Sequence, residues 1–339
     1  MTAVTGAGPW PGTDPLSAAV TVVGDLTDTP SDVEGLPFAP LLVDRGPWGE
    51  ALGRSVGLLV ELPAELGTHG WRLTDHAGGD LARSRSFARE DLDALAVAAH
   101  GYAGPLVVPL LGPISLAARV DLAHGDRVLA DPAALRDAAD SLAAGVAEHL
   151  AALVRAVPGA VPRVLLHEPL LAQAVAGVIP TFSGRGQLRA LHGPVAAERV
   201  GAVVAAARSA GASAVTLHVG AGGGVVGAAK AAGADAVGLD VGGLPEPAWE
   251  RVATAVEEGL GLWAQLPPAT SSQREGRDPK AHAEALVGPW RRVGLPAGAL
   301  ADVVLVAGRP EARWSPDAAR AGLGDAVRAA RAVVDVALA

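Results

Sequence analysis

Four places along the chain set a chemically capable side chain at the end of an apolar run: His167 with Glu168, then His218, then Asp240, then Arg309. Imidazoles and carboxylates in one site can move protons as general acids and bases. The same groups bind zinc or iron. His167, His218 and Asp240 are therefore candidate catalytic residues, and His218 and Asp240 are also candidate metal ligands. Each has a plainer reading as a hydrogen-bonded polar group at a strand end. The sequence contains no cysteine. That removes disulfides, thiolate metal sites, cysteine nucleophiles and iron–sulfur clusters together.

The runs that carry these residues are short and β-branched, and from about Pro105 onward they alternate with longer Ala-rich stretches of helical period. Leu106 to Leu111 reads as a strand. Asp131 starts a helix with Pro132 at its first position, which runs through Leu142 and Val146 until Pro158 and Gly159 stop it. Arg163 to His167, Ser213 to His218, Ala236 to Asp240, Gly261 to Gln265 and Asp302 to Val306 read as strands. Helices are expected at Pro194 to Ser209, Ala228 to Ala232, Glu246 to Glu258, Lys280 to Val293 and Ser315 to Ala337. Two further strands, near Thr2 to Gly8 and near Val56 to Leu62, would bring the count to eight. The expected fold is therefore an α/β protein, a (β/α)8 TIM barrel in one domain spanning 1–339. Such a barrel places active residues at the carboxyl ends of its strands. Asp25 to Arg85 and Leu170 to Leu191 are expected to be long loops over that mouth.

Other features narrow the partners. A net charge of −9 without a basic run argues against a nucleic-acid partner. Met1 to Pro9 lacks a positive region followed by an apolar core, and apolar stretches such as Val200 to Ala207 are too short to span a bilayer, so a cytoplasmic protein is expected. The Gly220 to Gly224 run could cradle a phosphate, but it lacks the Lys-Ser/Thr of a P-loop and reads more simply as a flexible βα loop. Of eleven aromatic residues seven are tryptophan. Trp10 and Trp48 fall in the loop-rich amino-terminal part, where they could wall a pocket for a flat small-molecule ligand, whereas Trp249 and Trp290 read as packing residues.

Ordered motifs at successive strand ends add a family resemblance. Thr5-Gly-Ala-Gly-Pro-Trp-Pro-Gly-Thr13, Leu111-Gly-Pro-Ile-Ser-Leu116, Leu166-His-Glu-Pro-Leu170, Leu217-His218 and Gly238-Leu-Asp240 resemble the catalytic barrel of cobalamin-independent methionine synthase. The resemblance covers nearly the whole chain and extends to the superfamily that includes uroporphyrinogen decarboxylase. It implies methyl transfer from a folate or corrinoid carrier to a thiol such as homocysteine. It also implies zinc held by a His, two Cys and a Glu. His218 matches the ligand histidine, but the first cysteine position is Gly220, the second falls near Arg309, and the glutamate falls on Asp240. The position that holds the amino group of homocysteine is His167, the first-loop serine is Pro9, and the catalytic histidine position falls near Gln265. Trp10, Ser115, Glu168, Gln265 and Arg309 are placed on the substrate side.

Three functions follow as expectations. One is a methyltransferase that uses a His/Asp metal or acid–base help in place of the thiolates. The second is a degenerate barrel that binds a small acidic or folate-like ligand. The third is a metal-free lyase or decarboxylase using Asp240, Arg309 and Arg185, which rests on fold kinship. Arg309 either pairs with Asp240, standing in for the lost cation, or is a solvated loop residue.

Overall fold

Helix starts in this chain are written locally. Asp14 accepts from the amides of Leu16 and Ser17 at 3.0 and 3.2 Å, and Pro15 opens the helix behind it. Asp131 does the same for Ala133 and Ala134 at 2.7 and 3.1 Å, ahead of the helix Pro132–Ala156. A capping oxygen satisfies amides that the first turn leaves without a partner, and proline costs nothing at that position. The structure, a computed structural model, describes residues 1–267, 279–308 and 314–338.

Eight parallel strands form the central sheet. They are β1 (Ala3–Gly6), β2 (Glu34–Gly35), β3 (Gly104–Leu111), β4 (Ala160–His167), β5 (Ala214–His218), β6 (Ala236–Asp240), β7 (Gly261–Gln265) and β8 (Val304–Ala307). Each pairs with its neighbours in chain order, and β8 returns to β1. The last gap closes beyond the regular part of β2, where Phe38 bridges Val107 and the Val107 amide donates to Pro37 O at 2.7 Å. Following the paired residues once round from Leu111 leads through His167, His218, Gly238, Trp263, Val304, Ala3 and Glu34. Extending the Phe38–Val107 bridge back by four residues sets Glu34 against Ala103, eight residues before the start. A displacement of that size is the stagger of a closed (β/α)8 barrel.

Helices α1 (Pro15–Thr27), α2 (Ala51–Leu58), α3 (Gly79–Ala98), α4 (Pro113–Ala117), α5 (Pro132–Ala156), α6 (Leu171–Ala176), α7 (Gly193–Ser209), α8 (Val226–Ala231), α9 (Glu246–Glu257), α10 (Pro279–Arg292) and α11 (Pro316–Leu338) lie between the strands in sequence. Their apolar faces bury the outer surface of the sheet; Val200, Val203, Val252, Leu286, Trp290 and Val333 are all essentially inaccessible. Burying each such side chain contributes about 1.5–3 kcal/mol. No helix among the described residues is long and apolar enough to cross a membrane.

Two expectations about the first hundred residues need correction. Val56 to Leu62 is not a strand: it begins inside α2, where Leu52 and Val56, one helical turn apart, face the core. The second strand is Glu34–Gly35, within the stretch expected to be a loop. Its sequence hides it, because Gly35 and Pro37 read as breakers. Gly35 is required by packing, since a Cβ there would fall 1.9 Å from the carbonyl oxygen of Leu26. Pro37 contributes through its carbonyl, which needs no N–H. The rest of Asp25 to Arg85 holds α2, the start of α3 and a hairpin of Ala64–Gly67 with Gly70–Leu73. The Leu170 to Leu191 stretch holds α6 and a turn closed by a Pro180–Gln187 bridge.

Candidate functional site

Strand register decides which side chains enter the barrel. His167 pairs with His218, and His218 with Gly238, so all three lie on one face. Side chains alternate along a strand, so Asp240, two residues past Gly238, shares that face, as does its partner Gln265. The face is the inner one. His167 Nε2–H donates to the carbonyl of Ala7 at 2.8 Å, a contact between the ends of β4 and β1, which are not neighbours in the sheet. His167 and His218 are 4 % and 0 % exposed, with ring centroids 5.1 Å apart. Four of the expected residues therefore meet inside one mouth: His167, His218, Asp240 and Gln265.

Two backbone groups set the state of the imidazoles. The Gly220 amide donates to His218 Nδ1 at 3.3 Å, so that nitrogen is the acceptor and Nε2 carries the proton in the neutral ring. Nε2 lies 3.9 Å from Asp240 Oδ1. Gly220 adopts φ +61°, the left-handed conformation that glycine takes at low cost, and this turns its amide back toward the ring. Gly238 supplies the floor: a Cβ there would lie 2.4 Å from His218 Cδ2. Neither Ala7 nor Gly220 is marked by residue type as a functional group, because each acts through its main chain.

Glu168 and Ser115, expected on the substrate side, are engaged in bonds between two loops. Glu168 follows His167 and points to the other face. Its carboxylate accepts from the amides of Ile114 and Ser115 at 2.8 and 2.7 Å, at the first turn of α4. Burial pushes this carboxyl up to about 7, against the opposing effect of the Ser115 hydroxyl and the two amides. Ser115 Oγ in turn accepts from the Leu170 amide at 3.0 Å. The pair fastens the loop after β3 to the loop after β4. It holds up the rim and is turned away from the lumen.

The remaining candidates separate. Trp10 is 4 % exposed and packs at 6.2 Å from Phe38, so it belongs to the wall of the barrel. Trp48 donates from Nε1 to Asp80 and stacks under the Arg83 guanidinium. Trp249 and Trp290 are buried packing residues, as expected. Arg185 is exposed in the turn before Gln187. Arg309, and with it the second cysteine position of the resemblance, lies outside the described residues.

The donor set does not fit the zinc centre that the resemblance implies. Nδ1 of His218 already accepts a hydrogen bond, and its other nitrogen bears the proton in that tautomer. Gly220 offers no side chain where a thiolate would be, and the sequence has no cysteine to supply another. Among the described residues no group of three or more His, Asp or Glu is disposed to hold a metal.

No protein-family model and no curated protein matches the chain. Among solved structures it is similar to a GH18 chitinase from Pseudoalteromonas aurantia, at 10% identity and a TM-score of 0.43 over 96% of this chain and 100% of that one. It is also similar to the carboxyl transferase domain of pyruvate carboxylase from Rhizobium etli, at 15% identity and a TM-score of 0.30 over 94% of this chain and 59% of that one. Likenesses this distant say nothing of function, and the (β/α)8 barrel stands on its own strand pairing.

Proposed function

We propose that the chain is a methionine-synthase-like methyltransferase that works without a zinc–thiolate centre, moving a methyl group from a folate or corrinoid carrier to a thiol such as homocysteine. The observation that carries this reading is the hydrogen bond from His167 Nε2–H to Ala7 O. A ring that gives its proton to a carbonyl at Nε2 holds its lone pair at Nδ1. His167 then acts as the base. The thiol proton passes to Nδ1, the sulfur electron pair forms the S–C bond, and the carrier leaves with the electron pair of the bond it loses. A folate nitrogen takes the proton back from His167, whereas a corrinoid needs none and the proton goes to solvent.

The other inner-face groups support this assignment. Asp240 Oδ1 lies 3.9 Å from Nε2 of His218, whose Nδ1 accepts from the Gly220 amide, so a carboxylate borders the same mouth. The buried amide oxygen of Gln265 has no hydrogen-bond partner among the described residues, so it offers an acceptor to a substrate amino group. The reading carries with it a cytoplasmic protein acting on a small molecule and not on nucleic acid, and the net charge of −9 and the lack of a basic run support the exclusion of nucleic acid. Calorimetry with homocysteine, methylfolates and methylcorrinoids tests it. Binding of an acceptor and a carrier, with turnover abolished in His167→Asn while binding survives, is the expected result. Silence toward all three ligand classes overturns it.

A second reading rests on the same Gln265 oxygen. A barrel that retains a pocket for a small acidic or folate-like ligand but no turnover also needs a donor for that buried acceptor. It predicts thermal stabilisation by a ligand with no product formed.

A further inference from the structure

A second cavity lies in the wall of the barrel, outside the lumen, where α2, α3 and α5 cover β3. It measures about 40 Å3 and is walled mainly by apolar side chains, among them Leu92, Leu95, Leu110 and Leu153. A space of that size admits a molecule of a few heavy atoms. Leu58, Ala88 and His149 form the partition between it and an open surface groove of about 520 Å3 that also runs past Arg89 and Glu148.

The charges at this wall are spent on one another. Arg54 Nη2 lies 3.1 Å from Asp91 Oδ2, and Arg45 Nη1 lies 3.1 Å from Asp91 Oδ1 and 3.4 Å from Glu90. Two guanidinium groups therefore face two carboxylates, and the cluster leaves no net charge for a charged ligand to answer. Hydrogen-bonding capacity is not spent in the same way. The ring of His149 lines the cavity, and the buried Nε of Arg54 beside it has no acceptor among the described residues.

We infer that this cavity is a binding site for a small uncharged alcohol, with its hydroxyl on His149 and its hydrocarbon body against Leu92, Leu95 and Leu153. Arg54 and Asp91, the charged residues of the lining, are already paired with each other, so neither an anion nor a cation finds a free counter-charge there. A hydroxyl both donates and accepts, which matches a neutral imidazole carrying one donor and one acceptor. Burial and the neighbouring Arg54 charge hold His149 in that neutral form, with its pKa pushed down to about 4. Ala88 lines both the cavity and the groove, so a larger side chain there would take up space that the ligand needs.

The test is a titration of the full-length chain with butan-1-ol, read from the imidazole nitrogen resonances of His149, with butyrate and butylammonium as charged controls. A saturable shift with Kd on the order of 1 mM for the alcohol, at least about tenfold weaker for both ions, is the expected result. Ala88→Leu should weaken the alcohol about tenfold or more. Should that variant fail to fold, His149→Phe, followed through the methyl resonances of Leu95 and Leu153, should weaken it instead. No shift at His149, equal binding of either ion, or a parent-like affinity in the folded variant overturns the inference. The barrel-mouth proposal is untouched by any of these outcomes, because none of its residues takes part.

Discussion

His167 Nε2 and Ala7 O lie 2.8 Å apart across 160 positions of sequence, and this bond fixes both the tautomer of the histidine and the position of the loop after β1. Replacing His167 with Phe leaves a buried carbonyl without its donor. The expected loss is about 1–3 kcal/mol, measured by urea unfolding. Asn at the same position keeps a polar side chain and should be less costly, while still abolishing any turnover that needs the imidazole. A parent-like rate in the Asn variant would remove His167 from the chemistry.

Gly238→Ala probes the floor under His218. The new Cβ would lie 2.4 Å from His218 Cδ2 and 2.8 Å from Cγ, so the ring must swing away from Gly220 and Asp240. The expected cost is about 1–3 kcal/mol, typical of overpacking. The His218 ring resonances should move in the folded variant. An unchanged melting temperature with unchanged His218 signals would show that the ring is not seated on Gly238.

Glu168 and His149 predict opposite pH dependences that a pair of variants can separate. The Glu168 carboxyl is raised from 4.5 to about 7, so the native state binds its proton more tightly than the unfolded chain. Its contribution to stability is full below 4.5 and is lost as pH rises through 7. His149 is lowered from 6.5 to about 4, so its contribution is full above 6.5 and is lost as pH falls toward 4. In the parent the two slopes oppose each other over the shared window. In His149→Gln, stability should fall with rising pH at up to about 1.4 kcal/mol per unit; in Glu168→Gln it should rise at a similar rate. Denaturant melts from pH 4 to pH 8 read both, and the same slope in the two variants would contradict the assignment.

Asp91→Asn tests the buried charge cluster. The side chains of Arg45, Arg54 and Asp91 are 8, 10 and 14% exposed, so removing the carboxylate charge strands the Arg54 guanidinium away from water and leaves Arg45 with Glu90 alone. Breaking a buried pair in this way costs about 3–5 kcal/mol. Exchanging Arg54 and Asp91 together for Met and Leu should cost much less, because no uncompensated charge remains. Equal destabilisation by the single and the double change would mean that packing, and not charge, holds this corner.

Much of the barrel is written in local sequence. β6 and β7 end where their apolar runs end, and α5 begins at the Asp131-Pro132 pair, because caps, prolines and β-branched runs act over a few residues. β2 was not legible for the opposite reason. Its strand character comes from the carbonyls and amides of Val4 and Val107 on either side, against the local preference of Gly35 and Pro37. The α2 segment reads equally well as a strand because a short apolar run fits either period, and its packing against α3, α5 and β3 chooses the helix.

The site divides along the same line. Residue types at strand ends were enough to single out His167, His218 and Asp240, while Gln265 entered only through the family resemblance; the inner face of the closed barrel brings the four together. Whether Glu168 joined them depended on one residue of alternation, which turned its carboxylate onto α4. The tautomer of each histidine in its neutral form follows from the Ala7 carbonyl and the Gly220 amide, groups that every residue type carries alike. A sequence names side chains; which nitrogen of an imidazole keeps its lone pair is decided by the backbone that the fold brings against it.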